Sequence, residues 1–255
     1  MRADVYLTEQ GFAKSRTMAQ KLIGSGAVTV DGKRVSKPSE DILDGEHTVN
    51  ITEIDEMKYV SRGGLKLEAA LQYFGVSAEG KIVLDVGAST GGFTDCLLKH
   101  GAKTVFAVDS GSGQLDPILL SDRRVISLEK TNARTMTPQL LLSSGADIPD
   151  FDGRVSLAVM DVSFISQTSI IPALSSMIQS GGELLSLIKP QFEVGRGAVG
   201  KGGIVKDPKQ RKNAVLNVQK AMESFGFRTV SIMDSPIEGG DGNREYIGYF
   251  VKEGN

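Results

Sequence analysis

Residues 81–98 join an apolar strand to an apolar helix through a glycine-rich turn. The strand ends at Asp85, and Gly87, Gly91 and Gly92 follow before the helix begins. Glycine lets a backbone approach a ligand closely, and the N–H groups of a helix N-terminus point at the same space. The spacing differs from the dinucleotide pattern Gly-x-Gly-x-x-Gly, no P-loop lysine follows, and a carboxylate at the strand end would repel a diphosphate. The turn therefore predicts a site for a nucleoside that is positively charged or zwitterionic and has no pyrophosphate.

A second acidic residue supports the same kind of site. Asp109 ends the next strand, 104–109, a little over 20 residues beyond the turn. An acid at this position of a doubly wound sheet can accept the two hydroxyl groups of an adenosine ribose. A third short strand, 125–128, leads to residues 131–133, where we expect the loop to meet the adenine.

Two lysines and two acids are expected at one edge of the sheet. Asp161 and Lys189 each follow a buried strand, Lys66 lies just ahead of the first strand of the sheet, and Glu245 begins the last. Ligands in such sheets bind beyond the carboxyl ends of the strands, and an antiparallel last strand would start at that edge. Each residue alone is most simply interpreted as part of a surface salt bridge, but four of them beside a nucleoside turn favour catalysis.

Strands and helices alternate through the remainder of the chain. Further strands are predicted at 157–161, 183–188, 228–233 and 245–251, and helices at 168–179 and 207–225. This alternation predicts an α/β fold, a Rossmann-like, doubly wound and mostly parallel sheet.

The N-terminal part of the chain has a different character. Residues 1–38 contain seven Lys or Arg and three acids, and residues 39–56 are mostly acidic. The pattern predicts helices at 4–9 and 15–24 and a hairpin at 27–35, whose turn is formed by Asp31-Gly32. Basic side chains on a helix face and a hairpin tip are typical of a small α+β domain that binds nucleic-acid phosphates.

Composition excludes several classes of protein. The 255 residues carry a net charge of −2 and one cysteine, Cys96, which rules out an internal disulfide and is expected to be a buried core thiol. No leader and no apolar run of the roughly 20 residues that a membrane span requires is visible, so we expect a cytoplasmic enzyme without membrane insertion. His47 and His100 are expected to be isolated and exposed, and no metal site is predicted.

These motifs together resemble a known family. The segments 2–7, 14–20, 26–35 and 37–39 resemble an S4 RNA-binding domain, and Lys66, Asp161, Lys189 and Glu245 match the Lys-Asp-Lys-Glu tetrad of FtsJ-like RNA 2′-O-methyltransferases. In order and spacing the whole chain resembles the TlyA family, whose members are often labelled haemolysins. The resemblance implies an S4-like domain at 1–56, a linker at 57–62 and a methyltransferase domain at 63–255.

The resemblance also implies the activity and the residues that perform it. It implies transfer of a methyl group from S-adenosylmethionine to ribosomal RNA, either free or in ribosomal subunits, with the tetrad as catalytic residues. The implied cofactor contacts are Asp85, Gly87, Ala88, Ser89, Gly91, Gly92, Phe93, Asp109, Asn132 and Asp161. The implied RNA contacts are Arg2, Lys14, Ser15, Arg16, Lys33, Arg34, Arg62, Arg196 and Lys201.

The chemistry requires these residue types. A ribose 2′-hydroxyl keeps its proton at neutral pH, so a general base must remove it as the methyl group is attacked. Lys189 is the predicted base, oriented by Asp161, while Glu245 positions Lys66 or the ribose, and the reaction needs no metal. The glycine-rich segment 191–205 is predicted to form a basic lid over bound RNA.

Four other functions fit the sequence less well. Amine methylation commonly uses an Asn/Asp-Pro-Pro-aromatic motif, and the corresponding residues here, 161–164, lack the prolines. Methylation of cytosine C5 needs a cysteine near the catalytic edge, whereas Cys96 lies on the helix after the turn. The alternatives from other classes are a membrane-active haemolysin, for which 207–225 is the best amphipathic segment, and a catalytically inactive S4 RNA-binding protein.

Overall fold

The computed structural model describes residues 1–43, 45–52, 58–239 and 242–254, apart from the side chain of Arg196. The predicted RNA contact at Arg196 therefore lies outside the described part of the chain. Two compact units are present, Met1–Lys58 and Tyr59–Asn255. Residues 59–62, assigned to a linker from sequence, lie within the second unit, where Tyr59 is buried against the apolar core.

The first unit contains two helices and a small antiparallel sheet. Its elements are α1 (Ala3–Glu9), α2 (Arg16–Gly24), β1 (Val28–Val30), β2 (Lys33–Arg34) and β3 (Val49–Ile51), with strand order β2-β1-β3. Asp31 and Gly32 both have positive φ angles, 51° and 75°. A two-residue hairpin turn matches the twist of its strands only with such angles, so the predicted hairpin is confirmed.

The second unit is a seven-stranded sheet with helices on both faces. The strand order is β6-β5-β4-β7-β8-β10-β9, and only β10 runs antiparallel to its neighbours. The strands are β4 (Ile82–Val86), β5 (Thr104–Val108), β6 (Val125–Leu128), β7 (Val155–Met160), β8 (Ile178–Ile188), β9 (Phe227–Asp234) and β10 (Tyr246–Lys252). The helices are α3 (Gly63–Phe74), α4 (Gly92–Lys99), α5 (Pro117–Leu120), α6 (Pro138–Ser144), α7 (Ile171–Met177), α8 (Pro190–Glu193) and α9 (Pro208–Ser224).

The central strands are apolar on both faces because helices cover both. Val83 belongs to a core with Leu97 of α4, while its neighbour Leu84 belongs to a second core with Leu174 of α7 and Val218 of α9. Successive side chains of a strand point to opposite faces, so a continuous apolar run is what a parallel sheet buried on both sides requires. The predicted fold class is confirmed.

Helix α9 begins at a well-defined signal. The Asp207 side chain accepts a hydrogen bond from the Lys209 N–H at 2.8 Å, and Pro208 occupies the first helical position, which needs no N–H donor. Ala214, Val218 and Met222 lie four residues apart and are buried, so this amphipathic segment packs on the sheet. Within the described residues, no helix has both the length and the apolar character needed to cross a membrane.

One predicted boundary was wrong. The helix expected at 168–179 ends at Met177, and β8 begins at Ile178 rather than at Glu183. Ile178 pairs with Val155 of β7, and an irregularity in register follows before Leu157 pairs with Glu183. The early part of β8 is thus formed by tertiary pairing, which its polar residues do not reveal.

The ends of the strands bring the predicted residues to one edge. The Asp161 N–H donates to the Val86 carbonyl at 2.9 Å, and the Gly87 N–H donates to the Val108 carbonyl at 2.8 Å. Tyr246 of the antiparallel β10 lies opposite Ile188 of β8. Glu245 therefore begins β10 at the edge where Lys189 follows β8, as the sequence predicts for an antiparallel last strand.

Candidate active site

The turn after β4 is held in a conformation that requires glycine at its first position. Gly87 has φ +86°, and a Cβ atom there would lie 2.5 Å from the Asp161 carbonyl oxygen. Ser89 also has a positive φ, 48°, and its N–H donates to the Asp109 carboxylate at 2.8 Å. The other Asp109 oxygen accepts the Gly111 N–H at 2.7 Å. Asp109 therefore fixes the turn and also lines the cavity beside it.

Asp85 lies fully buried beneath the turn. One of its oxygens accepts a hydrogen bond from the Thr94 hydroxyl at 2.6 Å, and the other, Oδ1, has no partner among the described residues. Burial is the main cause that raises the pKa of this carboxyl to about 7, and the carboxylates of Asp161 and Asp109 raise it further. Three acids thus crowd the end of β4, which makes the cleft repel anions and attract cations.

Two adjoining cavities open at this edge. The first, of about 330 Å³, is lined by the turn and by the loops after β5, β6 and β7. Its lining includes Gly87, Ser89, Asp109, Gln114, Asn132, Asp161 and Phe164. The Asn132 side chain caps the short 3₁₀ turn Ala133–Thr135 by accepting the Arg134 N–H at 3.1 Å. The predicted adenine loop therefore borders the same cavity as the predicted ribose-binding acid.

The second cavity, of about 300 Å³, contains the predicted lysines. Its lining includes Arg62, Lys66, Ala88, Gly92, Phe93 and Lys189. Gly87, Ser89, Asp161 and Ser163 line both cavities. The two cavities therefore adjoin along these four residues.

The tetrad consists of two ion pairs. The Lys189 Nζ lies 2.6 Å from Asp161 Oδ1 and donates to the Ser163 hydroxyl at 2.8 Å. The Lys66 Nζ donates to Glu245 Oε2 at 2.6 Å, and both residues are buried, with 8% and 4% exposure. Removing one partner of a buried pair leaves an uncompensated charge. Each lysine is therefore fixed in place by its own acid.

Two glycines of the turn leave room for neighbouring side chains. A Cβ atom at Gly91 would lie 2.2 Å from a methyl carbon of Leu119, and Gly91 lines neither cavity. A Cβ at Gly92 would lie 2.2 Å from the Ser61 hydroxyl, although Gly92 itself borders the lysine cavity. Helix α5 occupies the space on that side of Gly91, and the predicted contact between Gly91 and a cofactor stays a prediction.

Sequence reasoning missed an aromatic pair at the mouth of the site. Phe164 is 92% exposed, has the unfavourable φ of +64° and lies 5.4 Å, centroid to centroid, from the Phe192 ring. A large exposed side chain in a strained backbone conformation indicates a functional position. The position of Phe164, three residues after Asp161 at the end of a strand, could have indicated an aromatic side chain at the site.

A partly buried carboxylate joins the two segments that carry these aromatics. Glu193 accepts hydrogen bonds from the Ser166 hydroxyl at 2.6 Å and from the Gln167 N–H at 2.9 Å. Burial raises the pKa of Glu193. The loop after β7 and helix α8 after β8 are therefore linked, and Lys189 and Ser163 lie at the starts of the two segments.

The C-terminal end of the predicted lid, 191–205, is hydrogen-bonded to Asn243 in the segment that precedes β10. Asn243 is buried and accepts the Val205 N–H at 3.0 Å, while its amide donates to the Gly203 carbonyl at 3.0 Å. Lys201 in this segment is exposed. The suggested closure over RNA stays a prediction.

The predicted RNA contacts of the first unit differ in their local roles. Arg2 and Arg16 both bind the buried carboxylate of Asp4, whereas Lys33 and Arg34 are exposed on the hairpin. Ser15 caps α2 by accepting the Met18 N–H at 3.2 Å, which gives it a structural role. Lys14 and Arg62 are exposed.

The two histidines are not isolated and exposed as predicted. His47 lies 2.6 Å from Asp31 Oδ2, a contact that raises the pKa of the imidazole. His100 Nδ1 lies 2.8 Å from the Cys96 carbonyl oxygen. Both rings are partly buried because each finds a partner close in the fold, and Cys96 is a buried thiol as expected.

Comparison with known proteins agrees with this geometry. The FtsJ-like methyltransferase model matches residues 59–252, and the S4 domain model matches residues 1–47. The chain is 44% identical to Hemolysin A of Brachyspira hyodysenteriae, over 98% of this chain and 100% of that protein. It is 43% identical to the 16S/23S rRNA (cytidine-2′-O)-methyltransferase TlyA of Mycobacterium tuberculosis, over 96% of this chain and 88% of that protein.

A solved structure supports the same relationship. A protein of Streptococcus thermophilus, named a candidate hemolysin, is 40% identical and superposes with a TM-score of 0.72, covering 99% of this chain and 88% of its own. Similarity over nearly the whole chain includes both the S4 segment and the residues of the two cavities. The chain therefore belongs to the FtsJ-like methyltransferases and, among them, to the TlyA family with its N-terminal S4 domain.

Proposed function

We propose that this enzyme transfers a methyl group from S-adenosylmethionine to a ribose 2′-hydroxyl of ribosomal RNA, with Lys189 as general base. The observation that carries the proposal is the position of the Lys189 amine. It is held by Asp161 and Ser163, two residues that line both the nucleoside-sized cavity and the lysine cavity. A base at this boundary can reach an acceptor that lies opposite a methyl donor.

The residues of the first cavity fit S-adenosylmethionine. Asp109 would accept the ribose hydroxyls, the loop at Asn132 would border the adenine, and Gly87 leaves the backbone open to close approach. The cluster of three acids and the unpartnered oxygen of Asp85 suit a cationic ligand and would oppose a diphosphate. When bound, this cofactor supplies a methyl group on a sulfonium, which is already activated as a leaving group.

The protein's own task is to handle the proton of the acceptor. A neutral hydroxyl is a poor nucleophile, and a base within hydrogen-bond distance accelerates its attack by roughly 10²–10⁴-fold. The Lys189 ammonium must first release its own proton to solvent; the neutral amine would then accept the proton of the hydroxyl, while Asp161 and Ser163 keep it directed at the acceptor. Lys66, fixed by Glu245, lies in the same cavity and stabilises negative charge that develops on the attacking oxygen.

The site does not suit the other methyl acceptors. Cys96, the only cysteine, has no exposed surface and lines neither cavity. It is therefore not available as a nucleophile for a C5-type reaction, which needs a thiolate in contact with the base. The residues after Asp161 lack the prolines typical of amine methylation.

The RNA partner follows from the first unit and from the relatives. Exposed Lys33 and Arg34 and the half-exposed Arg2 and Arg16 provide positive groups for phosphates. The Mycobacterium relative is named for both 16S and 23S rRNA, so we propose ribosomal RNA or ribosomal subunits as the substrate. Ribosomes are cytoplasmic, and we propose that compartment for the enzyme.

A methyl-transfer assay tests the proposal. Ribosomal subunits from cells that lack the enzyme are incubated with radiolabelled S-adenosylmethionine and either the parent protein or Lys189→Ala. We expect label in RNA with the parent and a loss of roughly 10²–10⁴-fold in single-turnover rate with the variant, at similar donor affinity. The labelled site should also resist alkaline cleavage, because a methylated 2′-oxygen cannot attack the neighbouring phosphate.

The outcomes separate the alternatives. A label on the base, or a Lys189→Ala protein that works at the parent rate, would remove the proposed reaction or the proposed base. Donor binding without any transfer would favour an inactive S4 RNA-binding protein. Lysis of erythrocytes by the purified parent and by Lys189→Ala alike would favour a separate haemolytic activity.

A further inference from the structure

The first unit contains a buried carboxylate that binds two arginines at once. Asp4 has no exposed surface, and its side chain accepts from Arg2 Nε at 3.0 Å and from Arg2 Nη2 at 3.1 Å. It also accepts from Arg16 Nη2 at 3.0 Å and from Gln20 Nε2 at 2.9 Å. These hydrogen bonds, those of Arg2 first, hold the pKa of Asp4 well below its usual range. The carboxylate therefore stays charged and fully hydrogen-bonded.

The arginines themselves are not buried with their partner. The Arg2 and Arg16 side chains are 47% and 57% exposed. A guanidinium has five N–H donors; Asp4 takes two of those on Arg2 and one of those on Arg16. Asp4 leaves the remaining donors of both groups unused.

This arrangement fixes two otherwise flexible side chains. Arginine loses considerable rotamer freedom when it binds a phosphate, and a partner that already holds the guanidinium removes most of that loss. Asp4 connects Arg2 to Arg16, which lies 14 residues further along the chain, so the two groups have a set separation. Two fixed forks at a set separation match successive phosphates of an RNA strand better than two free side chains would.

We propose that Asp4 is a positioning residue for RNA binding: it orients Arg2 and Arg16 so that their free N–H groups receive RNA phosphates. This inference rests on the proposed RNA substrate. It differs from a simple electrostatic role because Asp4 itself is negative. By charge alone it weakens the attraction for RNA, whereas by orientation it strengthens the binding.

The opposite signs make the test decisive. In Asp4→Asn, loss of a negative charge alone would raise RNA affinity, while loss of orientation lowers it. Fixing each released arginine again on binding costs roughly two- to tenfold in affinity, so we expect a decrease of about tenfold. The probe is labelled, protein-free ribosomal RNA, titrated across a range of salt concentrations. At saturating RNA the single-turnover methylation rate should match the parent, as should the affinity for S-adenosylmethionine.

Matched variants serve as controls. Glu9→Gln removes the same charge from an exposed position on the same helix and should leave RNA affinity unchanged or slightly raised. Arg16→Lys keeps the positive charge but not the planar guanidinium. An orienting role of Asp4 therefore predicts weaker RNA binding by this variant, whereas a role of charge alone predicts unchanged binding. This conservative surface substitution tests the proposal even if Asp4→Asn unfolds the first unit, which circular dichroism and thermal unfolding would detect. In an Asp4→Asn background, Arg16→Lys should lower RNA affinity little further, because both substitutions remove the same interaction.

The results distinguish this inference from the proposed function. If Arg2→Ala with Arg16→Ala leaves RNA affinity and its salt dependence unchanged, the RNA role of these arginines fails and the inference fails with it. If that double variant binds weakly but a folded Asp4→Asn protein binds RNA as well as or better than the parent, only the inference is overturned. A tenfold weaker, folded Asp4→Asn protein beside an unaffected Glu9→Gln protein supports it.

Discussion

Substitution of Gly87 by alanine should damage the catalytic centre more than the fold. The added Cβ would lie 2.5 Å from the Asp161 carbonyl oxygen, about 0.9 Å short of the 3.4 Å at which ordinary contact begins. A non-glycine residue at φ +86° also costs about 1–2 kcal/mol of strain. The clash is with backbone, so the segment that begins at Asp161 must move by a distance approaching 1 Å.

That movement reaches the proposed base directly. Asp161 lies 2.6 Å from the Lys189 Nζ, and a misplacement of about 1 Å at a reacting centre can lower a rate by about 10²-fold. We expect Gly87→Ala to reduce single-turnover methylation by about that factor and to weaken S-adenosylmethionine binding, because the same atom enters the cofactor cavity.

Gly80→Ala is the matched control. Gly80 also has a positive φ, +68°, but a Cβ there would meet nothing within 4 Å. It should lose about the same 1–2 kcal/mol of unfolding free energy while keeping the parent rate and donor affinity. Chemical unfolding, calorimetric donor titration and single-turnover methylation of the two variants give the comparison. If Gly87→Ala kept the parental rate and donor affinity, the close contact between Gly87 and Asp161 would not set the position of the Lys189 base.

Two further predictions concern single side chains at the site. Burial raises the pKa of Asp85 from about 4 to about 7, so between these pH values the folded protein holds a proton that the unfolded chain has released. The free energy of unfolding should therefore fall with rising pH by up to about 1.4 kcal/mol per pH unit. Urea unfolding from pH 5 to 8 should show this slope in the parent and a flatter one in Asp85→Asn, and equal slopes would contradict the shift. Phe164→Ala should leave thermal stability unchanged, since the ring is 92% exposed, but should raise the KM for RNA because base stacking on an aromatic ring contributes about 1–3 kcal/mol. Phe164→Tyr should behave as the parent, and an unchanged KM in the alanine variant would exclude contact with RNA.

The amino-acid pattern alone predicted the architecture and the edge of the sheet at which Asp161, Lys189 and Glu245 lie. Apolar runs of strand length that alternate with amphipathic helices predict a covered parallel sheet, and the carboxyl ends of such strands must share an edge. Asp161, Lys189 and Glu245 follow from that rule, because strand order and direction fix which edge each residue occupies. Local turn chemistry similarly predicted the Asp31-Gly32 hairpin and the cap of α9 at Asp207.

Tertiary structure decided which of these residues act on each other. Lys66 and Glu245 are 179 residues apart, and their pairing depends on β10 lying against β8 in one register. From the sequence we expect Asp161 beside Lys189, and Glu245 beside either Lys66 or the ribose; in the assembled sheet Glu245 pairs with Lys66. The same holds for Gly91, where an added Cβ would meet Leu119 of α5, a neighbour that only the fold supplies.

The roles of several charged and aromatic residues also depended on distant partners. The family resemblance implied Arg2 and Arg16 as RNA contacts. Arg2 reaches Asp4 from two residues away, but only packing of α1 against α2 brings Arg16 to the same carboxylate. Tyr59 could not be interpreted from its neighbours in sequence, yet in the fold it fills the space over Gly64, where a Cβ would lie 2.3 Å from its ring. Sequence determines local conformation and which face of an element is buried, because these depend on near neighbours. Side-chain pairing across elements depends on register and packing, which form only when the whole sheet is assembled.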